Sequence, residues 1–531
     1  MRFSLLVTSL LFSASTLAAP AMADHSHKKD FDKKVENKEQ NPVPTDDIQS
    51  NWAKPPVAEQ EKTTEHSVSL NGKELHYKAT AGTLTIRDDN GKPTASVFYT
   101  AYTLDTKNLA TKNRPVTFFY NGGPGSSSLW LHVGSFAPVK VNTTDPVTIR
   151  PAPYSFGVNP DSMLDISDLV FIDAVGAGYS RPLGDTKGAA FWGVDQDARA
   201  FAKTIERYVN KNQRWSSPKY LFGESYGTTR SGQLVNLLQN DGMQFNGVVL
   251  LSSILNYGIR QAGYDHIYKA YLPSYAATAW YHNKLANRPA DLKSFLDQAR
   301  AFAAGDYAAA LEKGDLISDA EKNRVAQQMS VFTGLSPEFI KLNNLRVELG
   351  SFRKELLRDR HLTTGRLDAR YTGIDTEPAG ESPEYDASGS AVSGAFYALF
   401  RDYLGRDLGY QSDLDYRISI YGQPGFNWDW KHKAPTGSFP QEMPDVAVDL
   451  SAAMRENPHL KILSLNGYYD MATPFFATEY DLSHMMLEPA QRTNISYRYY
   501  PSGHMVYLDP ASLHQMKKDI AVFYDQTTTK E

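Results

Sequence analysis

Between Tyr220 and Gly232 the chain reads YLFGESYGTTRSG, which sets one serine between two glycines, with an apolar run before it and a glutamate beside it. GESYG at 223–227 fits G-x-S-x-G. Where that pattern follows a strand and opens a helix, the corner holds a serine hydroxyl clear of the sheet edge. The glycines remove side chains that would clash in so sharp a turn, and the helix start favours negative charge developing beside Ser225. The chemistry is nucleophilic attack. A hydroxyl is a weak nucleophile, so it needs a base, and the base needs an orienting acid. On such a sheet the chain order is serine, acid, histidine, the last two on loops after later strands. LKILSLNGYYDMATP places Asp470 just after an apolar run, and ISYRYYPSGHMVYLDP places His504 after the next one, behind Ser502-Gly503. His484 and His514 fall in expected helices, and His459 precedes the acid, so His504 is the expected base. Acyl transfer also needs donors for an oxyanion. One is the backbone N–H of Tyr226; the other is assigned to Gly123, in VTFFYNGGPGSSS, where a bare backbone can approach closely. No Gly-Lys-Ser/Thr follows that loop, which rules out a phosphate cradle of the P-loop kind.

The elements that must position these residues follow from periodicity. HSVSLNGKELHYKATAGTLTIRDDNGKPTASVFYTAYTL alternates apolar and polar residues, with hairpin signals at Asn71-Gly72 and Asn90-Gly91. Short apolar runs come next, at Val116 to Tyr120, Leu169 to Asp173, Tyr220 to Phe222 and Val248 to Leu251. Between the second and third lies DQDARAFAKTIERYVNKN, which puts Phe201, Ile205, Tyr208 and Val209 on one helical face. Strands alternating with helices imply a mainly parallel sheet with right-handed crossovers. From about 257 to 430 the alternation gives way to a helical pattern. Ser318 with Glu321 forms a capping box that closes at Gly334, and Ser336-Pro337 opens another helix. The stretch YTGIDTEPAGESPEYDASGSAVSG is expected to be a solvated loop; its spacing fits no calcium loop. Strand pattern resumes at Leu460 to Leu465 and Ile495 to Tyr500, and LHQMKKDIAVFYDQ closes the chain as a helix.

The N-terminus has a positive Arg2, a mostly apolar run and Ala21-Met22-Ala23 before Asp24, the pattern of a signal peptide cut after Ala23. Residues 24–65 are charged and poor in large apolar side chains, and are expected to be a disordered leader; His25 and His27 fall within it as solvated histidines. Segment 66–256 is then the first part of an α/β core, 257–430 a helical cap insertion roofing the cleft, and 431–531 the second part of the core. The chain of 531 residues has no cysteine, which excludes disulfides, thiolate-held metal and a cysteine nucleophile. The formal charge of -5 argues against nucleic acid as a main partner. No second stretch is long and apolar enough to span a bilayer. The expected setting is the periplasm or the extracellular space.

Four stretches in this order resemble the serine carboxypeptidase family, a branch of the α/β-hydrolases: NGGPGSSS (121–128), DAVGAGYS (173–180), GESYG (223–227) and SGHMVYLD (502–509). NGYYDMATP matches the acid turn more loosely. The resemblance spans about 120 to 510 and implies an α/β-hydrolase fold with a mostly parallel sheet, an antiparallel N-terminal edge and the helical cap. It also implies roles for Asn121 and Glu224, which in that family hold the substrate's terminal carboxylate. From the residues alone Glu224 is equally a helix-start acid. Two carboxylates in contact share a proton, so peptide binding is then expected to be best at acidic pH. The chain departs from the family in three places: Phe119 stands where a Trp is frequent, Ser135 where a second acid joins the network, and Ser126 where the loop carries a Cys.

The expected activity is that of a secreted serine carboxypeptidase, acting on peptide or protein C-termini through Ser225, His504 and Asp470, with no metal or cofactor and no membrane or nucleic-acid partner. An esterase or acyltransferase using the same residues is the alternative within enzymes. A binding protein on a hydrolase scaffold is the alternative outside them.

Overall fold

The computed structural model describes residues 55–106, 113–143, 151–261, 263–421 and 425–528. The expected signal peptide and the expected leader up to residue 54 lie outside the described residues. The sheet strands are β1 (Glu61–Leu70), β2 (Lys73–Arg87), β3 (Pro93–Leu104), β4 (Val116–Tyr120), β5 (Asp168–Ile172), β6 (Lys219–Glu224), β7 (Gly247–Leu251), β8 (Lys461–Gly467) and β9 (Ile495–Tyr500). Their order is β1-β2-β3-β5-β4-β6-β7-β8-β9, with Arg181–Pro182 paired to β3. The β1–β2, β2–β3 and β3–β5 pairs are antiparallel, and every pair from β5–β4 to β8–β9 is parallel. This is the α/β-hydrolase arrangement, with its antiparallel edge at the N-terminal end. β1 begins at Glu61, inside the stretch expected to be without structure. Its residues are largely exposed, so the edge is held by main-chain pairing to β2 rather than by apolar burial.

The strand period of two sorts the core. Phe118, Tyr120, Val170, Ile172, Leu221, Val248 and Leu250 enter one apolar cluster, and their neighbours Phe119, Leu169, Phe171, Tyr220, Phe222, Val249 and Leu251 enter the other. Both faces are covered, as a parallel sheet requires. Phe119 stacks on Phe171 and Phe222 at centroid distances of 4.7 and 4.9 Å. The longer helices are α1 (Val194–Lys211), α2 (Tyr226–Asn240), α3 (His266–Tyr281), α4 (Leu292–Ala304), α5 (Asp319–Thr333), α6 (Ala387–Arg406), α7 (Ala447–Glu456), α8 (Phe475–Ser483) and α9 (Pro510–Thr527). Phe201, Ile205, Tyr208 and Val209 of α1 are buried on one face. Ser318 caps α5 and Gly334 ends it in the left-handed region at φ 69°.

The acidic stretch 371–394 is not all loop. α6 begins within it at Ala387, because Asp386 accepts the Ser388 N–H and the small residues that follow allow the helix to pack. Most of the helices between β7 and β8 bury a third cluster that includes Tyr275, Phe295, Phe302 and Phe352. Tyr469 and Met471, the neighbours of Asp470, belong to that cluster rather than to the sheet core.

Candidate active site

Ser225 stands between β6 and α2 with φ 59° and ψ −129°. A non-glycine residue in such a conformation costs of order 1–3 kcal/mol and persists only where its surroundings over-determine it. Here the Ser225 N–H donates to the Leu251 carbonyl at 3.0 Å, and the Ser225 carbonyl accepts from the Thr228 N–H and hydroxyl at 2.8 and 2.7 Å. A Cβ on Gly223 would lie 2.2 Å from the Gly227 carbonyl oxygen, so the corner closes only around glycine.

Asp470 follows β8 and His504 follows β9. His504 Nδ1 lies 2.8 Å from Asp470 Oδ2, and both side chains are buried. The Ala472 and Thr473 amides donate to Asp470 Oδ1 at 2.8 and 2.9 Å. Thr473 Oγ1 lies 2.7 Å from Oδ2, 3.1 Å from His504 Nδ1 and 3.0 Å from the Ser252 carbonyl oxygen. Burial alone would lower the His504 pKa. The Asp470 charge and hydrogen bond, with the Glu224 charge behind them, more than offset it and hold the imidazole above its ordinary value. The pairing leaves Nε2 as the nitrogen open to a substrate-side proton. Among the described residues Nε2 makes no hydrogen bond, and the Ser225 hydroxyl makes none to it. The link between them runs through the intervening strand: Ser225 is bonded to Leu251, and the Ser252 hydroxyl donates to the His504 carbonyl at 2.6 Å.

The glycine loop after β4 packs on the same corner. A Cβ on Gly122 would stand 2.4 Å from the Tyr226 amide nitrogen, while Gly123 is the exposed residue of NGGPG. Tyr226 opens α2, so its N–H is one of the first amides of a helix, which have no partner within it. Arg230 fixes the loop from below. Its Nη1 donates to the Asn121 carbonyl at 2.9 Å, its Nε pairs with Asp197 at 2.6 Å, and its guanidinium lies 4.0 Å from the Phe201 ring centroid.

Glu224 does not stand exposed at the helix start; it is 2% exposed. Its Oε2 accepts from Asn121 Nδ2 and from the Tyr507 hydroxyl, each at 2.9 Å. Asn121 is oriented in turn by the Leu131 N–H, which donates to its Oδ1 at 2.9 Å. Burial pushes the Glu224 carboxyl up to about 7, against the lowering effect of the His504 charge and of the Tyr507 and Asn121 bonds. Ser135 adds nothing to this network, since its hydroxyl is turned onto the Leu131 carbonyl. Tyr507, Thr473 and Ser252 are contributors that sequence reasoning missed; single hydroxyls without a motif of their own carried no signal. Among the described residues no group of three or more His, Cys, Asp or Glu could hold a metal ion, and no helix is long and apolar enough to cross a membrane.

The family model described as serine carboxypeptidase matches residues 70–327. Serine carboxypeptidase-like 51 of Arabidopsis thaliana is 31% identical over 121 residues, which is 22% of this chain and 23% of that protein, so the match spans under a quarter of the relative's length. Among solved structures the chain is similar to Kex1(delta)p, a prohormone-processing carboxypeptidase of Saccharomyces cerevisiae. That likeness has 15% identity and a TM-score of 0.49, covering 85% of this chain and 91% of that one. It is also similar to a proline iminopeptidase of Mycobacterium smegmatis, at 13% identity and a TM-score of 0.35 over 84% of this chain and 98% of that one. Over residues 70–327 the chain is thus similar to the serine carboxypeptidase family.

Proposed function

We propose that this protein is a serine carboxypeptidase that removes C-terminal residues from peptides. The observation that carries the reading is the buried Glu224 carboxyl, bonded to Asn121 and Tyr507 and adjacent in sequence to Ser225. A protonated carboxyl beside the nucleophile suits a substrate that presents a free carboxylate one residue beyond the scissile bond. Ser225 Oγ attacks the scissile carbonyl carbon while its proton passes to His504 Nε2. Asp470 holds the tautomer and stabilises the imidazolium, and the Gly123 and Tyr226 amides receive the oxyanion. His504 gives its proton to the leaving amine and the C–N bond breaks. Water then attacks the Ser225 ester with His504 as base, releasing the shortened peptide. This cycle requires the Ser225 hydroxyl to turn onto Nε2 when substrate binds; catalytic hydrogen bonds commonly tighten in the substrate complex.

The same reading takes the protein as exported, with the N-terminal segment removed after Ala23; N-terminal sequencing of the mature protein tests that part. The activity is tested by incubating the protein with matched peptides bearing free or amidated C-termini across pH, alongside Ser225→Ala. Release of single residues from free C-termini only, best on the acidic side and absent in the variant, is the expected result. Equal trimming of both peptides, or none by wild type, overturns it. One observation favours esterase or acyltransferase chemistry instead: Ser135 is bonded to Leu131, and among the described residues the hydrogen-bond partners of Glu224 are Asn121 and Tyr507, with no second acid. Rapid turnover of simple esters without any peptide trimming would establish that reading.

A further inference from the structure

The helical segment between β7 and β8 sends a strap into the site, and the strap touches both sides of the His504–Asp470 pair. The Met471 N–H donates to the Arg366 carbonyl at 3.1 Å, and the Ala369 N–H donates to the Tyr469 carbonyl at 3.0 Å. Asp470 is therefore bracketed by main-chain bonds to this strap. On the other side the His504 N–H donates to the Leu367 carbonyl at 2.6 Å. A Cβ on Gly503 would stand 2.4 Å from Asp368 Cβ, so strap and histidine loop lie in direct contact.

One ion pair locks this junction. Arg370 Nε lies 3.0 and 3.1 Å from the two Asp368 carboxylate oxygens, and Nη2 lies 2.6 Å from Oδ2. The remaining guanidinium donors go to the histidine loop, with Nη1 donating to the Pro501 carbonyl at 2.8 Å and Nη2 to Ser502 Oγ at 3.2 Å. The guanidinium also lies 5.4 Å from the Tyr469 ring centroid, on the acid's side. Asp368 and Arg370 are 3% and 5% exposed. Burying a charged pair away from water is expensive unless the geometry and further hydrogen bonds compensate it. Here the compensation comes from the backbone of the loop that carries His504.

We infer that Asp368 and Arg370 are positioning residues for the reaction: through the Leu367 carbonyl and the 501–504 backbone they set the imidazole against Asp470 and aim Nε2 at Ser225. The inference rests on the hydrolase reading given above. Its physical basis is that a loop is a poor platform for a group that must be held within about half an ångström, unless packing and hydrogen bonds immobilise it. The histidine loop's own bonds fix Ser502 and the His504 carbonyl, through the Tyr500 carbonyl, Val506 and Ser252. The acid turn adds one more, the Tyr469 N–H donating to the Ser502 carbonyl at 3.0 Å, and the strap supplies the bonds to the His504 N–H, the Pro501 carbonyl and Ser502 Oγ. The strap at 366–370 then serves to position the His504–Asp470 pair and is not a removable cover.

The test compares wild type with Arg370→Met, Asp368→Asn, Arg370→Lys and, as a control, Lys354→Met. The last breaks the buried Lys354–Asp375 pair of the same segment, away from both loops. The readouts are the rate at which a fluorophosphonate labels Ser225, the kcat and KM of peptide trimming per folded molecule, and the far-downfield imidazole proton of His504 by NMR. A misplacement of about 1 Å costs on the order of 100-fold in rate. Arg370→Met and Asp368→Asn are therefore expected to label and turn over about 100-fold more slowly, with KM unchanged and the downfield proton lost. Arg370→Lys keeps the charge but not the fork, and should fall between. Lys354→Met should lose stability and keep its labelling rate. Wild-type labelling rates in folded Arg370→Met and Asp368→Asn, with the downfield proton retained, overturn the inference while leaving the hydrolase reading intact. Wild type that is not labelled at Ser225 overturns the hydrolase reading and the inference with it.

Discussion

A Cβ placed on Gly178 would stand 1.7 Å from Oδ2 of Asp173. The carboxylate thus occupies the volume that any side chain at 178 would need, and φ at 178 is 50°. Asp173 in turn accepts the Ser128 N–H at 2.7 Å, which ties the end of the glycine loop to the DAVGAGYS turn. Burial pushes its carboxyl up to about 7. Gly178→Ala is expected to lose about 2–4 kcal/mol by urea denaturation, combining overpacking and backbone strain. In a double-mutant cycle with Asp173→Ala, part of that loss should be recovered, because the clash goes while the strain stays. A wild-type midpoint for Gly178→Ala would show that the turn relaxes freely.

His432 is bridged by two acids, with Nδ1 2.7 Å from Asp195 and Nε2 2.8 Å from Asp449. It joins the start of α1 to α7. Burial would lower the imidazole's pKa, but the bonds and charges of the two aspartates raise it to about 9. Burial also opposes ionisation of both acids. The bonds from His432 and Gln233 still hold Asp195 below the usual range, whereas Asp449, the more buried of the two, stays raised. A histidine raised on folding contributes stability that is full below its unfolded value of about 6.5 and is lost as pH climbs through its folded value. Wild-type stability is thus expected to fall between about pH 7 and pH 9. His432→Gln should be less stable by roughly 3 kcal/mol at pH 6 and nearly flat over that window, since it strands two buried acids. Urea midpoints measured at half-unit pH steps decide it; parallel curves for the two proteins would count against the bridge.

The corner at Ser225, the acid–base pair and the sheet were legible because each is written locally. GESYG sits on its own strand and helix, Asp470 and His504 each follow an apolar run, and Asn71-Gly72 turns β1 into β2, with both residues at positive φ. The strap was not legible. Arg370 meets Pro501 across 131 positions of chain, and nothing in RLDAR distinguishes a buried fork from a solvated charge pair. His432 was hidden for the same reason, its partners lying 237 and 17 positions away. The helix start at Ala387 was masked by composition, since serine, glycine and acid are residues that loops and helix N-termini share.

Glu224→Gln separates peptide from ester chemistry. In wild type the carboxyl, raised to about 7 by burial, keeps its proton at acidic pH and gives it up as pH rises through that value. Above it a terminal carboxylate would face a second anion, so KM for free-carboxylate peptides should climb. Gln cannot ionise. The variant should bind such peptides more weakly at pH 5 and show no climb. Ester hydrolysis, which presents no carboxylate, should change less than about threefold in the variant. A steep KM climb in Glu224→Gln would assign the alkaline limb to another group.

Tyr507→Phe tests the sign of the same effect. The Tyr507 hydroxyl donates to Glu224 Oε2 at 2.9 Å, and a donor to a carboxylate stabilises its charged form. In the intact site this bond works against burial and keeps the Glu224 carboxyl lower than burial alone would set it. Removing the hydroxyl takes away that opposition, so the carboxyl should hold its proton to higher pH. The alkaline rise in peptide KM is expected to move up by roughly one pH unit, the size of a hydrogen bond to a charged group. Asn121→Ala removes the other donor and should move it the same way, with a loss of binding at all pH because the amide also meets the substrate in the proposed complex. If the limb moves to lower pH in Tyr507→Phe, then Tyr507 is accepting a proton from a neutral Glu224 rather than donating to the anion, and the proton shared with the substrate would have to come from the peptide itself.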